Sequence, residues 1–492
     1  MWLWLLVTPL VVAQDIAAVF GNPANNWSVD TTFYLPSESA FVNLTERWTV
    51  VGAPTYSAAI SPSTEEDLVN IVTLATQNNV QFLATGGRHS VSTTLASLQN
   101  GLAVDLSQFD QVLVSSEDGT LTIGGGVRLE QILDPVYNAG FEMQQGSCSC
   151  PAYVGVTIGG GIGRYTGVYG LAIDSLLSVR LVTADGRLLT VSENSYPDLF
   201  WAVRGAGANF GVVVSATYEL RKISDDPVHR GHVFVVDVSL PANTSSAYFN
   251  LLESYHQNGS LPSNLAQISA LHWDEGTNAS VVLGNWAYMG SVDEGREILA
   301  PVLGLEALEI SARTVPWDEV IASQGFGEFD AVLCEDNKIR HHYAATVRNV
   351  SASAFEIAFE KLTKFLVDYP DARGTSMQIE TFPNQAAMAV ADESTAYPWR
   401  DAVAHIALVF TLDSDNATTV DAVTKLGPEI RNDIFVTSGY PDLAVYLNYA
   451  HGDEPIESLY GRNKLPRLAE LKGKWDPNNV FSFHHALPTS YP

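Results

Sequence analysis

The chain has 492 residues, of which 46% are hydrophobic and 16% charged, and its formal net charge is -29. This composition is typical of a well-packed globular protein and excludes a largely disordered one, and the length predicts at least two domains. The acidic balance, with no cluster of Lys and Arg, argues against binding to nucleic acid or to anionic lipid.

The chain begins with MWLWLLVTPLVVAQD, which is apolar from Trp2 to Ala13 and too short to span a bilayer. Val11 and Ala13 suit signal-peptidase cleavage before Gln14, although a buried N-terminal strand is the alternative because no Lys or Arg precedes the apolar run. Glycosylation acceptors favour the signal peptide, and the Asn-x-Ser/Thr triplets begin at Asn26, Asn43, Asn243, Asn258, Asn278, Asn349 and Asn416. We therefore expect a signal peptide at 1–13 and an N-glycosylated protein that is secreted or held in vesicles. No later segment is predicted to span a membrane.

The region from about Val51 to Leu220 is predicted to mix helices and strands. A capping box from Ser63 to Glu66 indicates a helix start, and the apolar residues after it recur at helical spacing. The segment VQFLAT then predicts a strand that ends in the turn TGGRHS, and LAVDLS predicts another. The dipeptides Asp118-Gly119 and Asp185-Gly186 predict hairpins.

From about Arg221 to Val445 the pattern changes. Strands such as HVFVVDVSL and VAHIALVFTL alternate with helices such as SAFEIAFEKLTKFLVDY. This pattern favours a largely antiparallel sheet with helices on one face. The tail predicts an amphipathic helix that stops at Asp476-Pro477.

Several common catalytic patterns are absent from the sequence, which has no Gly-x-Gly-x-x-Gly after a first strand, no Walker loop and no His-Glu-x-x-His. His341 and His342 are predicted to lie on a strand, where adjacent side chains point to opposite faces, so we predict no metal site. The chain has three cysteines, and Cys148 and Cys150 are too close in sequence to favour pairing with each other. If either of them pairs with Cys334, the other remains as a free or modified thiol.

Glycines cluster in several loops, the first of which is TGGRHS. Runs of small residues expose backbone N–H groups that can cradle a pyrophosphate without a lysine. For TGGRHS alone, a tight turn with an exposed histidine is the simpler interpretation.

This turn is one of several motifs, and they occur in the order ATGGRHS, AVDLSQFDQV, LTIGGG, VGVTIGGGIGRYTGVYGLAIDSLLSVRLVTADG, PDLFWAVRGAGANFGVV, YLNY and LKGKWDPNNVFSF. Together they resemble the flavoprotein family of berberine bridge enzyme and glucooligosaccharide oxidase, in the vanillyl-alcohol oxidase superfamily, and most of all its fungal secondary-metabolism members. The resemblance implies an α+β fold of the two-domain vanillyl-alcohol oxidase type. We expect a FAD-binding domain at 14–226 (core about 51–222), a substrate domain at 227–445 with an antiparallel sheet and flanking helices, and a segment at 446–492 that returns to the FAD domain.

The resemblance implies FAD bound covalently through His89, whose family counterpart is bonded to the 8α-methyl of the isoalloxazine ring. Gly86 and Gly87 would offer N–H groups to the pyrophosphate, and Ser90 completes the turn. The family usually has Gly-Gly directly before the histidine, whereas Arg88 intervenes here and either pairs with a phosphate or disturbs the turn.

Many family members carry a second bond, from a cysteine to flavin C6. Counting back from the triple glycine selects Cys148, whereas matching the dipeptide Cys-Pro selects Cys150. If Cys148 binds flavin, Cys150 and Cys334 are available for a disulfide. The alternative is a free buried thiol beside a disulfide.

The resemblance also implies that a set of small or backbone-contacting residues lines the flavin and its phosphates: Gly159, Gly160, Gly161, Gly163, Gly170, Leu171, Gly205, Gly207, Gly211, Val212, Tyr446 and Asn448. The alternative for these glycines is that they form plain sheet corners.

The catalytic base is expected on the sheet of the second domain, over which the family binds its substrate. In TSMQIETF, Gln378 and Glu380 share one strand face, and Glu380 is a candidate base if burial raises its pKa. Tyr446 is the second candidate. The alternative for Glu380 is a solvated carboxylate on an edge strand. A tyrosine found in some plant members is Ile162 here.

The resemblance thus implies a FAD-linked oxidase that passes hydride from a small metabolite to the flavin and electrons to O2, giving H2O2. Carbohydrate oxidation and a non-redox cyclisation or isomerisation are alternatives, and a flavin-binding protein without turnover is another.

Overall fold

The computed structural model describes residues 15–224, 231–257, 259 and 261–492. The predicted signal peptide, the predicted boundary between residues 226 and 227, and the glycosylation acceptor Asn258 lie outside these residues. The other acceptors are exposed: Asn26, Asn43, Asn243, Asn278, Asn349 and Asn416. No helix of the described ranges is long and apolar enough to cross a membrane.

The first half of the chain holds eleven described strands and seven described helices. The strands are β1 (Thr32–Tyr34), β2 (Tyr56–Ser61), β3 (Phe82–Thr85), β4 (Gly101–Asp105), β5 (Val112–Ser115), β6 (Thr120–Gly124), β7 (Phe141–Glu142), β8 (Leu176–Val182), β9 (Leu188–Ser192), β10 (Val212–Glu219) and β11 (Arg221–Lys222). The helices are α1 (Ile16–Phe20), α2 (Ala40–Thr45), α3 (Glu65–Gln77), α4 (Glu130–Asn138), α5 (Tyr153–Ile158), α6 (Thr166–Tyr169) and α7 (Pro197–Ala206).

These strands form three sheets. A four-stranded sheet has the order β1-β2-β4-β3, in which β4 runs parallel to both β2 and β3. A five-stranded antiparallel sheet has the order β5-β6-β10-β8-β9, and β7 pairs with β11. Both predicted hairpins are confirmed, as β5–β6 and β8–β9.

Helix α3 follows its predicted pattern except at its first residues. The predicted helical spacing is confirmed, because its apolar residues are buried against the sheet core. The cap lies one residue later than predicted: Thr64 is extended, and its hydroxyl accepts a hydrogen bond from the Asp67 N–H at 3.1 Å. The Ser63 hydroxyl instead lies 3.1 Å from that of Thr31. Because the Ser63 hydroxyl contacts Thr31, Thr64 and not Ser63 caps the helix.

The second half of the chain is built on one large sheet. Its strands are β12 (His232–Pro241), β13 (Leu265–Asp274), β14 (Ala279–Tyr288), β15 (Glu309–Pro316), β16 (Ile339–Val347), β17 (Ser376–Thr381) and β18 (Ala404–Leu412). The helices are α8 (Ser245–Tyr255), α9 (Val292–Ile298), α10 (Ala300–Leu303), α11 (Val320–Ser323), α12 (Phe329–Leu333), α13 (Ala352–Asp368), α14 (Gln385–Ala389), α15 (Ala417–Val436), α16 (Ile456–Tyr460) and α17 (Leu465–Trp475). The seven strands are antiparallel in the order β15-β12-β14-β13-β17-β18-β16.

The two faces of this sheet differ. One face packs against α8, α13 and α15 in a single apolar cluster. On the other face, residues directly opposite one another on neighbouring strands form what we call the cross-sheet row, since such partners share a face. In strand order its members are Asp237, Asn285, Ile268, Glu380, His405 and Thr346. All six are buried.

The last residues of the chain pack against its first half. Helix α17 shares an apolar cluster with α7. The Lys472 ammonium is fully buried, is paired with Asp476 and donates to the carbonyl of Asn209 at 2.9 Å. Together with the sheets, this arrangement is the predicted α+β architecture.

Candidate active site

The turn after β3 is built from two glycines that nothing larger could replace. A Cβ on Gly86 would lie 2.4 Å from the carbonyl oxygen of Gly125, and a Cβ on Gly87 would lie 2.5 Å from the nitrogen of Ala152. The chain therefore passes close to two neighbouring backbones before it turns. Both glycines line a cavity of about 310 Å³.

Arg88 holds this turn in place. Its φ of 53° lies in the left-handed region that favours glycine. The guanidinium forms an ion pair with the fully buried Asp105, and its Nε donates to the Glu46 carbonyl at 2.9 Å. These bonds to the protein offset the backbone strain, so the turn survives the insertion of Arg88.

His89 lines the cavity as a neutral imidazole. Its ring stacks on Trp48 with the centroids 4.6 Å apart, and the guanidinium carbon of Arg340 lies 4.1 Å from the Trp48 ring centroid. Burial, and secondarily the positive charge of Arg340, lowers the pKa of His89 to about 3. The Nε2 atom is buried and has no hydrogen-bond partner among the described residues. A rigid imidazole of this kind is suited to act as a nucleophile.

The cysteines divide into a disulfide and a thiol. Cys150 is bonded to Cys334, which leaves Cys148 free at the cavity wall. The Cys148 sulfur lies within 4.8 Å of a ring nitrogen of His89. Burial, with the nearby Asp330 and Glu380, raises the pKa of the Cys148 thiol. Cys150 also lies in this group, but as a disulfide it offers no thiolate to a metal.

The cavity brings together eleven of the predicted cofactor residues: Gly86, Gly87, Arg88, His89, Ser90, Cys148, Gly159, Gly211, Val212, Tyr446 and Asn448. Seven others lie outside its lining: Gly160, Gly161, Gly163, Gly170, Leu171, Gly205 and Gly207. Neither Gln378 nor Glu380 lines it.

The glycines outside the lining sit where another part of the protein approaches closely, which for Gly163 and Gly205 is a second backbone. A Cβ on Gly163 would lie 1.7 Å from the Gln145 carbonyl oxygen, and one on Gly205 would lie 2.4 Å from the Tyr397 nitrogen. Gly170 and Leu171 belong to a turn closed by Asp174, which accepts a hydrogen bond from the Leu171 N–H at 2.9 Å.

Tyr446 sits between the glycine loop and the large sheet. Its phenol oxygen accepts hydrogen bonds from the Gly161 N–H at 3.1 Å and from the Asn448 side-chain amide at 2.7 Å. Burial raises the pKa of Tyr446 despite these donors. The segment YLNY thus holds the phenol ring of Tyr446 against the glycine loop that contains Gly161.

Glu380 is fully buried in the cross-sheet row. The alternative that it is a solvated edge carboxylate is wrong, because β17 lies between β13 and β18. Tyr449 donates a hydrogen bond to Glu380 Oε2 at 2.9 Å, whereas Oε1 has no partner in the described part of the chain. Burial raises the pKa of Glu380 to about 7, against the opposing effects of Ser147, Tyr449 and Arg164. Gln378, two residues earlier on the same face, is also buried.

Sequence reasoning missed several residues in and around this site, among them Arg47, Trp48, Tyr449 and Arg164. Tyr449 lines the cavity and connects it to Glu380. Arg164 is fully buried outside the cavity lining, and a charged residue directly after a glycine run in an apolar segment was the available signal.

The residues present fit a flavin. The strand-end turn combines glycines that admit close approach with an imidazole whose buried Nε2 is unpaired, and a free thiol lies beside it. The Arg47 guanidinium also lines the cavity, and its buried Nη1 has no partner in the ranges described. These groups could hold the ring and the diphosphate of FAD.

Comparison with known proteins supports the interpretation that this site binds FAD. Residues 56–192 match the family model described as FAD binding domain, and residues 445–488 match the one described as berberine and berberine like. The chain is 43% identical to the FAD-linked oxidoreductase fogF of Aspergillus ruber, over 99% of this chain and 97% of that protein.

Two solved structures have the same fold as this chain. BBE-like 1 of Physcomitrella patens superposes with a TM-score of 0.80 at 20% identity, covering 94% of this chain and 98% of that one. The glucooligosaccharide oxidase of Acremonium strictum, described with 6-S-cysteinyl, 8α-N1-histidyl FAD, gives 0.78 at 21% identity, covering 96% and 100%.

The FAD-binding domain and the relatives described as FAD-linked oxidoreductases identify the chain as an enzyme, a FAD-dependent oxidoreductase, and its fold is of the vanillyl-alcohol oxidase type. Within that class, the chain belongs to the berberine bridge enzyme-like family.

Proposed function

We propose that this enzyme is an oxidase that removes hydride from a C–H bond of a small, largely apolar metabolite, probed most simply as an aromatic alcohol. When bound, FAD accepts the hydride and passes the electrons to O2, giving H2O2. The chain's own contribution is to hold the cofactor, to orient the substrate and to take up the proton that the substrate loses.

The observation that carries this proposal is the bond between Tyr449 and Glu380. Tyr449 lines the cavity that contains His89 and Cys148, whereas Glu380 lies behind it. A substrate hydroxyl in the cavity can lose its proton to Tyr449 as Tyr449 passes its own to Glu380. A carboxyl whose pKa is about 7 is suited to accept a proton near neutral pH.

The cofactor is proposed to be held by two covalent bonds, to His89 and to Cys148. Their proximity supports this, since both side chains line one part of the cavity. Gly86 and Gly87 would present backbone N–H groups to the diphosphate. Trp48 supports this role for His89 by holding its ring in a stack.

The apolar cluster around the proton acceptor reaches the cavity wall through Ile162, Tyr446 and Tyr449, which favours an apolar substrate over an oligosaccharide. Ile268 lies opposite Glu380 on β13, and Phe382 follows two residues later in the chain. Both belong to one apolar cluster with Ile162, Tyr446 and Tyr449. A sugar would need several hydrogen-bonding partners here, because a buried polar group without a partner is costly.

Secretion, N-glycosylation and the predicted division into a FAD domain, a substrate domain and a returning C-terminal segment remain part of the proposal. The six described acceptor asparagines support glycosylation, since an exposed side chain is what glycan transfer requires.

The test is to mix the holoenzyme without oxygen with two substrate panels, aromatic alcohols and cello- or chito-oligosaccharides. Bleaching of the flavin by an aromatic alcohol, followed by O2 uptake and H2O2 release in air, is the expected result. Bleaching by oligosaccharides alone would make it a carbohydrate oxidase. Conversion of a substrate without O2 uptake would indicate a cyclase or isomerase.

A further inference from the structure

The loop that carries Cys148 has little structure of its own. Residues 146–149 form neither helix nor strand, and the backbone of Cys148 makes no hydrogen bond within the ranges described. A Cβ on Gly146 would have no atom beyond its chain neighbours nearer than 3.9 Å, so close packing does not fix the backbone there. The placement of Cys148 therefore depends on what holds the residues on either side of it.

Three contacts that hold this loop come from one segment in the second half of the chain, residues 324–334, which we call the clasp segment. At its start, Gln324 Nε2 donates to the Ser147 carbonyl at 2.8 Å. In its middle, the two carboxylate oxygens of Asp330 accept hydrogen bonds from Ser149, one from its N–H at 2.9 Å and one from its hydroxyl at 2.6 Å. The residues directly before and after Cys148 are thus bonded to the same segment.

The third contact is the disulfide between Cys150 and Cys334, which joins the end of the clasp segment to the chain two residues after Cys148. The Cys148 sulfur lies within 4.8 Å of the Cys150 sulfur and of a ring nitrogen of His89. A displacement of Cys150 would therefore displace a thiol that has to meet the same flavin ring as His89.

Placement matters for Cys148 because its thiol is not activated by ionisation. Reactive cysteines usually have a lowered pKa, whereas burial raises the pKa of the Cys148 thiol, which is protonated at neutral pH. A reacting group that is misplaced by about 1 Å can lose about 10²-fold in rate. Contacts that fix the loop therefore bear directly on whether the thiol reacts.

We propose that the clasp segment positions Cys148 for its bond to flavin C6, through Asp330 and the disulfide between Cys150 and Cys334. This rests on the proposed function, in which FAD is held by both His89 and Cys148. As the S–C6 bond forms, the thiol hydrogen and the C6 hydrogen leave as two protons with two electrons, which O2 takes up as H2O2. Because the clasp segment includes a disulfide, the second attachment should form where cysteines can oxidise.

The attachment at His89 is less dependent on the clasp segment. Trp48, on which His89 stacks, donates its indole N–H to the Leu333 carbonyl of this segment at 2.7 Å. Trp48 is also bonded elsewhere, because its backbone N–H donates to the Arg88 carbonyl at 3.3 Å and its carbonyl accepts from Arg340 at 2.7 Å. Flavin on His89 is therefore an internal reference for a folded cofactor site.

The experiment maps flavin by mass on the peptides of the purified full chain. Two variants remove contacts of the clasp segment: Asp330→Ala, and a double variant, Cys150→Ser with Cys334→Ser, which removes the disulfide and leaves no new thiol. In wild type, flavin should join the peptides of His89 and Cys148. In both variants it should stay on His89, and the share joined to Cys148 after a fixed expression time should fall by up to about 10²-fold.

Asp371→Ala is the matched control. Asp371 is also a carboxylate of the second half of the chain that accepts a hydroxyl hydrogen bond, from Thr419 at 2.8 Å, but it lies outside the clasp segment and the cavity lining. This variant should keep both attachments, and the Tm of every variant shows whether a lost attachment merely follows lost stability. If the double variant does not fold, Asp330→Ala, which keeps the disulfide, carries the test.

A wild-type share of flavin on Cys148 in Asp330→Ala, or in the double variant, would overturn the proposal. Loss of both attachments together, or an equal loss at Cys148 in Asp371→Ala, would also overturn it, because the effect would then be a general one on the fold. Flavin on His89 alone in wild type would instead overturn the two-bond attachment of the proposed function, and the inference with it. That outcome is distinct, because it appears without any variant.

Discussion

Tyr449 donates its phenolic hydrogen bond to Glu380 Oε2 at 2.9 Å, across 69 positions of the sequence. The bond joins the segment YLNY to the middle of the large sheet. Tyr449 lines the cavity and Glu380 does not. The carboxyl of Glu380 is therefore shielded from solvent, while the Tyr449 hydroxyl can relay a proton to it from a substrate in the cavity. A dry carboxyl has a raised pKa, and this is what makes a glutamate useful as a base near neutral pH.

Removing either partner of this bond should slow flavin reduction. We expect Glu380→Gln and Tyr449→Phe each to lower the anaerobic rate of flavin reduction by about 10²- to 10⁴-fold, the usual contribution of general-base catalysis. Rapid-mixing absorbance of the flavin measures it.

Tyr446→Phe is the comparison for this pair, because Tyr446 is the other candidate base and lines the same cavity. Its phenol oxygen already accepts two hydrogen bonds, and we expect a smaller loss. A larger loss in Tyr446→Phe than in Tyr449→Phe would assign the base to Tyr446.

The rate of flavin reduction should fall on the acid side of about pH 7. The pKa of Glu380 is raised to about 7, so below this pH the carboxyl is protonated and cannot accept the proton of Tyr449. For one ionisation the fall is about tenfold per pH unit. The histidines nearby should not contribute, because burial lowers the pKa of both His89 and His342 to about 3. A pH profile that stays flat down to pH 5 would contradict the assignment of Glu380.

Two attachments of the flavin predict a simple pattern after acid precipitation. Wild type, Cys148→Ala and His89→Ala should each carry yellow flavin into the pellet, and the double variant should release it. Mass mapping should find the flavin on the peptides containing His89 and Cys148, and on neither Cys150 nor Cys334, which share a disulfide. Release of flavin from Cys148→Ala would mean that His89 forms no bond.

Much of this fold could be predicted because it depends on local patterns. The alternation along TSMQIETF correctly placed Gln378 and Glu380 on one face, and the strand-end glycines correctly marked a turn against a cavity. The bond between Tyr449 and Glu380 could not be predicted in this way, because periodicity gives the face of a strand but not the loop that covers it. The stack of His89 on Trp48 was missed for the same reason.

The glycine runs show the same limit of prediction from sequence patterns. Gly86 lines the cavity and Gly163 does not, yet both stand in similar glycine runs and both make room for a neighbouring carbonyl. Absence of a Cβ is the shared requirement, and the sequence does not tell which of these glycines also borders a cavity.

Arg88 gives the last prediction, since it stands in the left-handed backbone region that favours glycine. We expect Arg88→Gly and Arg88→Ala both to destabilise the protein, because each leaves the fully buried Asp105 without its ion pair, a loss of about 3–5 kcal/mol. Arg88→Gly should be the more stable of the two by about 1 kcal/mol, because only the alanine keeps a side chain at φ 53°.

Thermal unfolding of the apoprotein and the holoenzyme measures the difference between these variants, about 2–4 °C in Tm for a domain of this size. Both should keep the flavin attached, since the imidazole of His89 is held by Trp48 and not by Arg88. Equal Tm values would show that the left-handed backbone costs nothing here. Loss of flavin from Arg88→Gly would show instead that the ion pair with Asp105 positions His89 for attachment.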